Sequence, residues 1–226
     1  MQRIAITLAL VLWGGMAWAG EILTQAPAAP DPDKHYLFYL HGLWLEDNGK
    51  DTVNKRYGRY EYDSILQAFA DRGFTVIAEL RPQRTRGKEY ARGVLSQVGG
   101  LMRAGVPADH ITVSGFSKGG QIALLVAALN DRPELRFVVM AGCGINQREG
   151  GFRQFLDKEA AKATGHLLAL YDSNDQETGS CQEVFARAPA LTGREEVLTI
   201  GRGHGVFYAA DPAWLDKATA WAMGGE

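Results

Sequence analysis

Residues 115–119 read G-F-S-K-G, placing Ser117 between two glycines at the junction of an apolar run, I-T-V-S-G-F (111–116), and a second apolar stretch. A serine hydroxyl is a weak nucleophile by itself and attacks a carbonyl only when a base accepts its proton. Where G-x-S-x-G joins a strand to a helix, the serine occupies a tight turn that lifts its Oγ above the sheet, and the glycines leave the necessary room. The next amide, that of Lys118, then lies at a helix N-terminus, where free N–H groups and the helix dipole favour an oxyanion. The plainer reading of Ser117 is a helix N-cap.

The remaining sequence must supply a base, and it contains five histidines: His35, His41, His110, His166 and His204. His35, His110 and His166 stand at or just before strand-like runs, at the wrong end of a parallel sheet. His41 follows the run H-Y-L-F-Y-L (35–40) but precedes Ser117. His204, in G-R-G-H-G (201–205) after the last strand, is the predicted base. Its orienting carboxylate is expected in L-A-L-Y-D-S-N-D-Q-E-T (168–178), which offers Asp172, Asp175 and Glu177. Reach into the loop favours Asp175; Asp172 lies close to the strand end, as a turn cap would, and Glu177 ranks third.

These residues need a scaffold that brings strand ends together. From residue 35 onward short apolar runs alternate with amphipathic stretches. Strands are predicted at 35–40, 75–80, 111–116, 136–142, 166–171 and 196–200, six in all. Helices are predicted at 61–73, 89–105, 118–130, 151–164, near 180–188, and at 212–223, where Pro212 suits a first turn. Apolar runs without polar interleaving indicate strands covered on both faces, hence a mostly parallel sheet in an α/β sandwich. Such folds bind ligands beyond the carboxyl ends of their strands.

The 226 residues, 46% hydrophobic and 22% charged, fit one domain. Residues 1–19 carry Arg3, an apolar run and a closing Ala17-Trp18-Ala19, the pattern of a cleaved signal peptide. Residues 20–34, rich in Pro and Ala, read as a tether, and 35–226 as the domain. Loss of Arg3 takes the formal charge from −2 to −3, with no bias toward nucleic acid; no membrane association is expected after cleavage. Cys143 and Cys181 are the only cysteines, and in an exported chain, periplasmic or secreted, a disulfide is favoured over two buried thiols. No metal-ligand spacing and no G-x-G-x-x-G occur, so no metal or cofactor is expected.

The order Ser117, Asp175, His204 resembles that of the α/β hydrolases, above all small bacterial dienelactone-hydrolase-like and carboxylesterase-like members. The likeness runs from about residue 35 to 223, carried by His41-Gly42, G-F-S-K-G, the Asp175 loop and G-H-G. It implies the α/β-hydrolase fold, a three-layer α/β/α sandwich with a mostly parallel sheet, as a minimal core without a cap domain. It also implies that the residue after His-Gly, Leu43, adds a second oxyanion amide to that of Lys118, with Trp44 possible, and that His41 is a turn residue. In the insertion 43–60, Trp44 and Tyr57 are expected at the substrate rim. R-P-Q-R-T-R-G-K (81–88) adds Arg81, Arg84, Arg86 and Lys88, either drawing an anionic substrate to that rim or forming a solvated basic loop. Lys118 is expected to point to solvent. The expected activity is cofactor-free hydrolysis of a small-molecule ester or thioester. The alternatives are acyl transfer or peptidase action on the same residues, or a non-catalytic binding protein of this fold.

Overall fold

The computed structural model describes residues 20–144 and 151–225; residues 1–19, where a signal peptide is expected, lie outside that range. In chain order the elements are β1 (Ile22–Leu23), β2 (His35–Leu40), α1 (Leu43–Asn48), β3 (Val53–Asn54), β4 (Gly58–Arg59), α2 (Tyr62–Ala70), β5 (Phe74–Ile77) and α3 (Gly87–Arg103). They continue as β6 (Ile111–Phe116), α4 (Lys118–Leu129), β7 (Arg136–Met140), α5 (Gly151–Lys158), β8 (Thr164–Asp172), α6 (Gln182–Arg187), β9 (Ala190–Leu198) and α7 (Pro212–Ala222).

Seven strands form one parallel sheet in the order β1-β5-β2-β6-β7-β8-β9, and β3 and β4 form a separate two-stranded ribbon. Alternate residues of each strand enter different cores, as the pleat requires. Tyr36, Phe38 and Leu40 pack with Ile122, Leu124 and Val126 of α4 and Val94 and Val98 of α3. Leu37 and Tyr39 pack on the other face with Ile65 and Phe69 of α2 and Trp214 and Leu215 of α7. The result is the expected three-layer sandwich.

Two expectations change. Residues 22–23, placed in the tether, add a seventh strand: Ile22 and Leu23 pair with Val76 and Ile77. The last strand begins at Ala190, well before the expected residue 196, and carries Arg194, Glu195 and Glu196 because it is an edge with one strand neighbour.

The chain runs from β2 outward to β5 and then returns to the opposite side of β2 for β6, so strand order reverses between β2 and β6. At such a point the loops leaving adjacent strand ends diverge and open a crevice. Leu40 pairs with Gly115, bringing His41-Gly42-Leu43 alongside Phe116-Ser117-Lys118.

Candidate active site

The turn from β6 into α4 holds Ser117 at φ 54°, ψ −119°, a conformation that a residue with a Cβ adopts only under constraint. The constraint is close backbone packing. A Cβ on Gly119 would lie 1.8 Å from the Leu40 carbonyl oxygen, and one on Gly115 would lie 2.2 Å from the Gly119 oxygen. Ser117 N–H donates to Met140 O at 2.9 Å, and its own carbonyl accepts from Gln121 at 3.0 Å. Its side chain makes no cap hydrogen bond, which removes the N-cap explanation of this serine.

Lys118 is the first residue of α4 and Leu43 the first residue of α1, so neither amide has an acceptor inside its own helix. The two helices start from the two strands that flank the crevice.

His204 sits in a 3-10 turn, Gly203–Tyr208, not in an open glycine loop. Its Nδ1–H donates to Asp175 Oδ2 at 2.8 Å, both side chains being almost wholly buried. Asp175 is held in turn. Oδ1 accepts from the Glu177 and Thr178 amides at 2.8 and 3.1 Å, and Oδ2 accepts from the Thr178 hydroxyl at 2.6 Å. Burial pushes the Asp175 carboxyl up, but the His204 hydrogen bond and charge, with the Thr178 and Glu177 donors, outweigh it and hold the group below its ordinary value. Nδ1 being committed as a donor, the neutral ring presents Nε2 as an acceptor.

Asp172 has a different task. Its Oδ1 accepts from the amides of Asn174 at 2.9 Å and Gly203 at 3.1 Å; its Oδ2 accepts from Ile200 and Gly201, both at 3.0 Å. It thus pins the segment leading into His204. Glu177 lies on the far side of the ring, its Oε2 3.9 Å from His204 Nε2, and its Oε1 accepts from the Tyr57 hydroxyl and from Arg56. Burial first, then the Glu177 carboxylate, raises the Tyr57 phenol well above its usual range.

A cleft of about 830 Å³ joins these groups, lined among others by Leu43, Trp44, Tyr57, Ser117, His204 and Tyr208. No hydrogen bond connects Ser117 Oγ with His204 among the described residues; such contacts commonly tighten only once substrate is bound. Behind His204 a second, polar hollow of about 650 Å³ extends between Arg56, Asn174 and Arg202. Among the described residues, the stretch between Gly144 and β8 holds α5 and one 3-10 turn, with no separate domain over the cleft. No cluster of three or more His, Cys, Asp or Glu side chains suited to a metal occurs among the described residues.

The basic loop differs from expectation. Arg81 is not at the rim: its side chain is 0% exposed and its Nε donates to Glu46 Oε2 at 3.3 Å beneath α1. Arg86 pairs with Glu89 at 3.0 Å and Lys88 with Glu159 at 2.6 Å, while Arg84 is exposed outside the cleft. Lys118 also turns away from solvent, onto Glu46 and the Thr85 carbonyl. Composition located these charges but carried no sign of Glu46, the shared partner of Arg81 and Lys118. His41 is buried, as a turn residue: Nδ1–H donates to Gly42 O at 2.8 Å, and Nε2 accepts from the Arg81 amide at 2.9 Å. Burial, reinforced by the Arg81 charge, lowers it to about 3.

Cys143 and Cys181 form a disulfide. The bridge ties the loop after β7 to the end of the Asp175 loop, where Gly179 N–H also donates to Cys143 O at 2.8 Å.

No protein-family model matches the sequence, and no curated protein sequence matches it. Solved structures do resemble it. A structure named as a dienelactone hydrolase from Klebsiella pneumoniae superposes with a TM-score of 0.55 at 17% identity, over 86% of this chain and 89% of the other. A lipase-esterase related protein from Clostridium acetobutylicum gives 0.57 at 11% identity, over 85% and 97%. A 2,6-dihydroxy-pseudo-oxynicotine hydrolase gives 0.56 at 17% identity over 89% of this chain. The chain spans 64% of that hydrolase's length, and 34% and 32% of two larger chains it also matches. The parallel sheet, the reversal between β2 and β6, the strained serine turn and these superpositions agree: the chain has the α/β-hydrolase fold.

Proposed function

We infer that the chain is an exported serine hydrolase that cleaves a carboxylic ester or thioester through an acyl-enzyme. The observation that carries this reading is an Asp175-held imidazole opening onto the same cleft as a serine on a strained strand-to-helix turn. A non-catalytic binding protein has no need of that combination. The arrangement supports a complete cycle. Ser117 Oγ forms a bond to the acyl carbon as its proton passes to His204 Nε2, and Asp175 stabilises the imidazolium. The oxyanion lies between the amides of Lys118 and Leu43. Collapse breaks the bond to the leaving oxygen or sulfur, which takes the proton from Nε2. Water then attacks the acyl carbon, giving a proton to His204; the bond to Oγ breaks and Ser117 recovers its proton.

Export is supported by the leader-like sequence of residues 1–19 and by the disulfide. A cleft flanked by Trp44 and Tyr57, with no separate domain over it among the described residues, suits a small substrate with an apolar portion. The test is labelling of the purified protein by a fluorophosphonate, with the modified peptide located by mass spectrometry. Label on Ser117, lost in Ser117→Ala and His204→Ala, is the expected result. A folded, disulfide-intact protein that takes no label would overturn the reading in favour of binding without catalysis.

A further inference from the structure

Glu46 lies on the fourth residue of α1, one helical turn beyond Leu43, and its side chain is 0% exposed. Three donors from two segments, the loop after β5 and the start of α4, converge on its carboxylate. Oε1 accepts from Lys118 Nζ and from the Thr85 amide at 2.9 Å, and Oε2 accepts from Arg81 Nε at 3.3 Å. Arg81 in turn grips the strand end before α1, its guanidinium donating to the His41 carbonyl and its amide to His41 Nε2. The residues that carry the two proposed oxyanion amides are therefore joined by charge. Leu43 leads into Glu46 through α1, and Glu46 pairs with the side chain of Lys118 itself.

Stability alone accounts poorly for this cluster. A buried ion pair is often no more stabilising than apolar residues of the same size, because both charges lose their hydration. A six-residue helix also cannot hold its own orientation, since isolated helices of that length do not persist in water. Of α1, Leu45 and Glu46 alone are buried, so Glu46 supplies much of what fixes the direction of the Leu43 amide. Oxyanion donors act only at the right place: misplacement by about 1 Å can cost roughly 100-fold in rate.

Building on the hydrolase reading above, we propose that Glu46 is a positioning residue for the oxyanion site, its carboxylate clamping α1 to Lys118 so that the Leu43 and Lys118 amides face one point. It touches no substrate, and its effect is exerted through the two backbones. Because the amides serve the transition state, loosening the clamp lowers kcat and leaves KM nearly as it was.

The experiment uses the full mature protein with p-nitrophenyl acetate as the ester and the fluorophosphonate as the covalent probe. Glu46→Gln keeps the shape of the side chain but removes its charge. Lys118→Met cuts the clamp while leaving the Glu46–Arg81 pair, so it keeps the question open to test if Glu46→Gln folds poorly. The expected result for each folded variant is a kcat lower by roughly 10- to 100-fold, with KM changed by less than about threefold. Fluorophosphonate labelling of Ser117 is expected to slow in parallel, at a temperature well below each variant's melting midpoint. Folded Lys118→Met protein with kcat within about twofold of the parent, or with its loss confined to KM, would overturn the clamp while leaving the hydrolase reading intact. A parent protein that neither hydrolyses the ester nor takes the label would overturn both.

Discussion

Asp172 ends β8 and Asp175 stands three residues further on, in the loop that follows, and replacing each by Asn is expected to produce opposite phenotypes. Asp172 receives four backbone amides, two on each oxygen, at 2.9–3.1 Å. An Asn there has one oxygen, so either rotamer aims an NH2 group at two amide donors and leaves both without an acceptor. An orphaned donor costs about 1–3 kcal/mol when buried, and because Asn174 and Gly201 are exposed and Ile200 is half-buried the total lies near the low end, about 2 kcal/mol. For a chain of this length that corresponds to a melting midpoint lower by about 4–8 °C. Asp175→Asn meets a different environment. Its oxygen can keep the Glu177 and Thr178 amides, while its NH2 group donates to the Thr178 hydroxyl and to His204 Nδ1, replacing the bonds that Oδ2 makes now. The Thr178 hydroxyl then accepts where it now donates, both backbone donors keep their acceptor, and the fold is kept. The imidazole, however, must move its proton to Nε2, where it can no longer accept one from Ser117. A loss on the order of 10⁴ in kcat follows, the size that the wrong tautomer produces in a serine protease. Differential scanning fluorimetry and ester hydrolysis on both variants decide the matter. If Asp172→Asn melts within about 2 °C of the parent, or Asp175→Asn loses as much stability as Asp172→Asn, the division of labour is wrong.

Further outcomes follow from other parts of the molecule. The Cys143–Cys181 bridge closes a 38-residue loop, so urea unfolding with and without excess reductant is expected to differ by about 4 kcal/mol in the chain-entropy treatment; a difference under about 1 kcal/mol would contradict it. His41, ordinary value 6.5, is held down to about 3 in the folded chain, so it stays neutral there while the unfolded chain takes up a proton. Its contribution is fully present above pH 6.5 and is lost as the pH falls toward 3. Between pH 6.5 and 5 the loss is about 2 kcal/mol. Urea titrations at those two values are expected to show a pH dependence that His41→Gln reduces by about that amount, and an unchanged dependence would contradict it. Gly119→Ala drives a methyl to 1.8 Å from the Leu40 oxygen, and no side-chain movement relieves a clash with backbone. A thermal midpoint lower by about 10 °C or more is expected, with β2 and β6 forced apart where the two proposed oxyanion amides arise; an unshifted midpoint would contradict the packing.

Much of this arrangement was legible from residue order because parallel strands buried on both faces leave uninterrupted apolar runs. The runs at 35–40 and 111–116 coincide with β2 and β6 to the residue. The same rule explains the failures. β1 is two residues in a Pro-rich stretch, too short to leave a pattern, and β9 mixes charge into its run because one of its sides has no strand neighbour. At the site, His204 and Asp175 were readable from their places after successive strands, since topology alone carries them to one end of the sheet. The direction of Arg81 was not readable. Its partner Glu46 lies 35 residues earlier, and only the folded crossing of α1 over the loop after β5 brings the two together.

The two edges of the sheet bear on how the chain behaves in company. An open strand edge is a template on which another chain can build hydrogen bonds. β1 offers two residues, too few to seed such a ladder. β9 is nine residues long, but its middle is the charged run Arg194-Glu195-Glu196, with Arg194 exposed and the two glutamates half-buried. Those charges are kept in place by their neighbours: Arg194 binds Glu196 at 2.9 Å and lies over Trp221, and Glu196 also binds Lys217 at 2.7 Å. A strand arriving at β9 would have to bury this fixed row of charge beside its own backbone. The sheet therefore stops growing at both ends, and neither edge offers the template from which a fibre would nucleate.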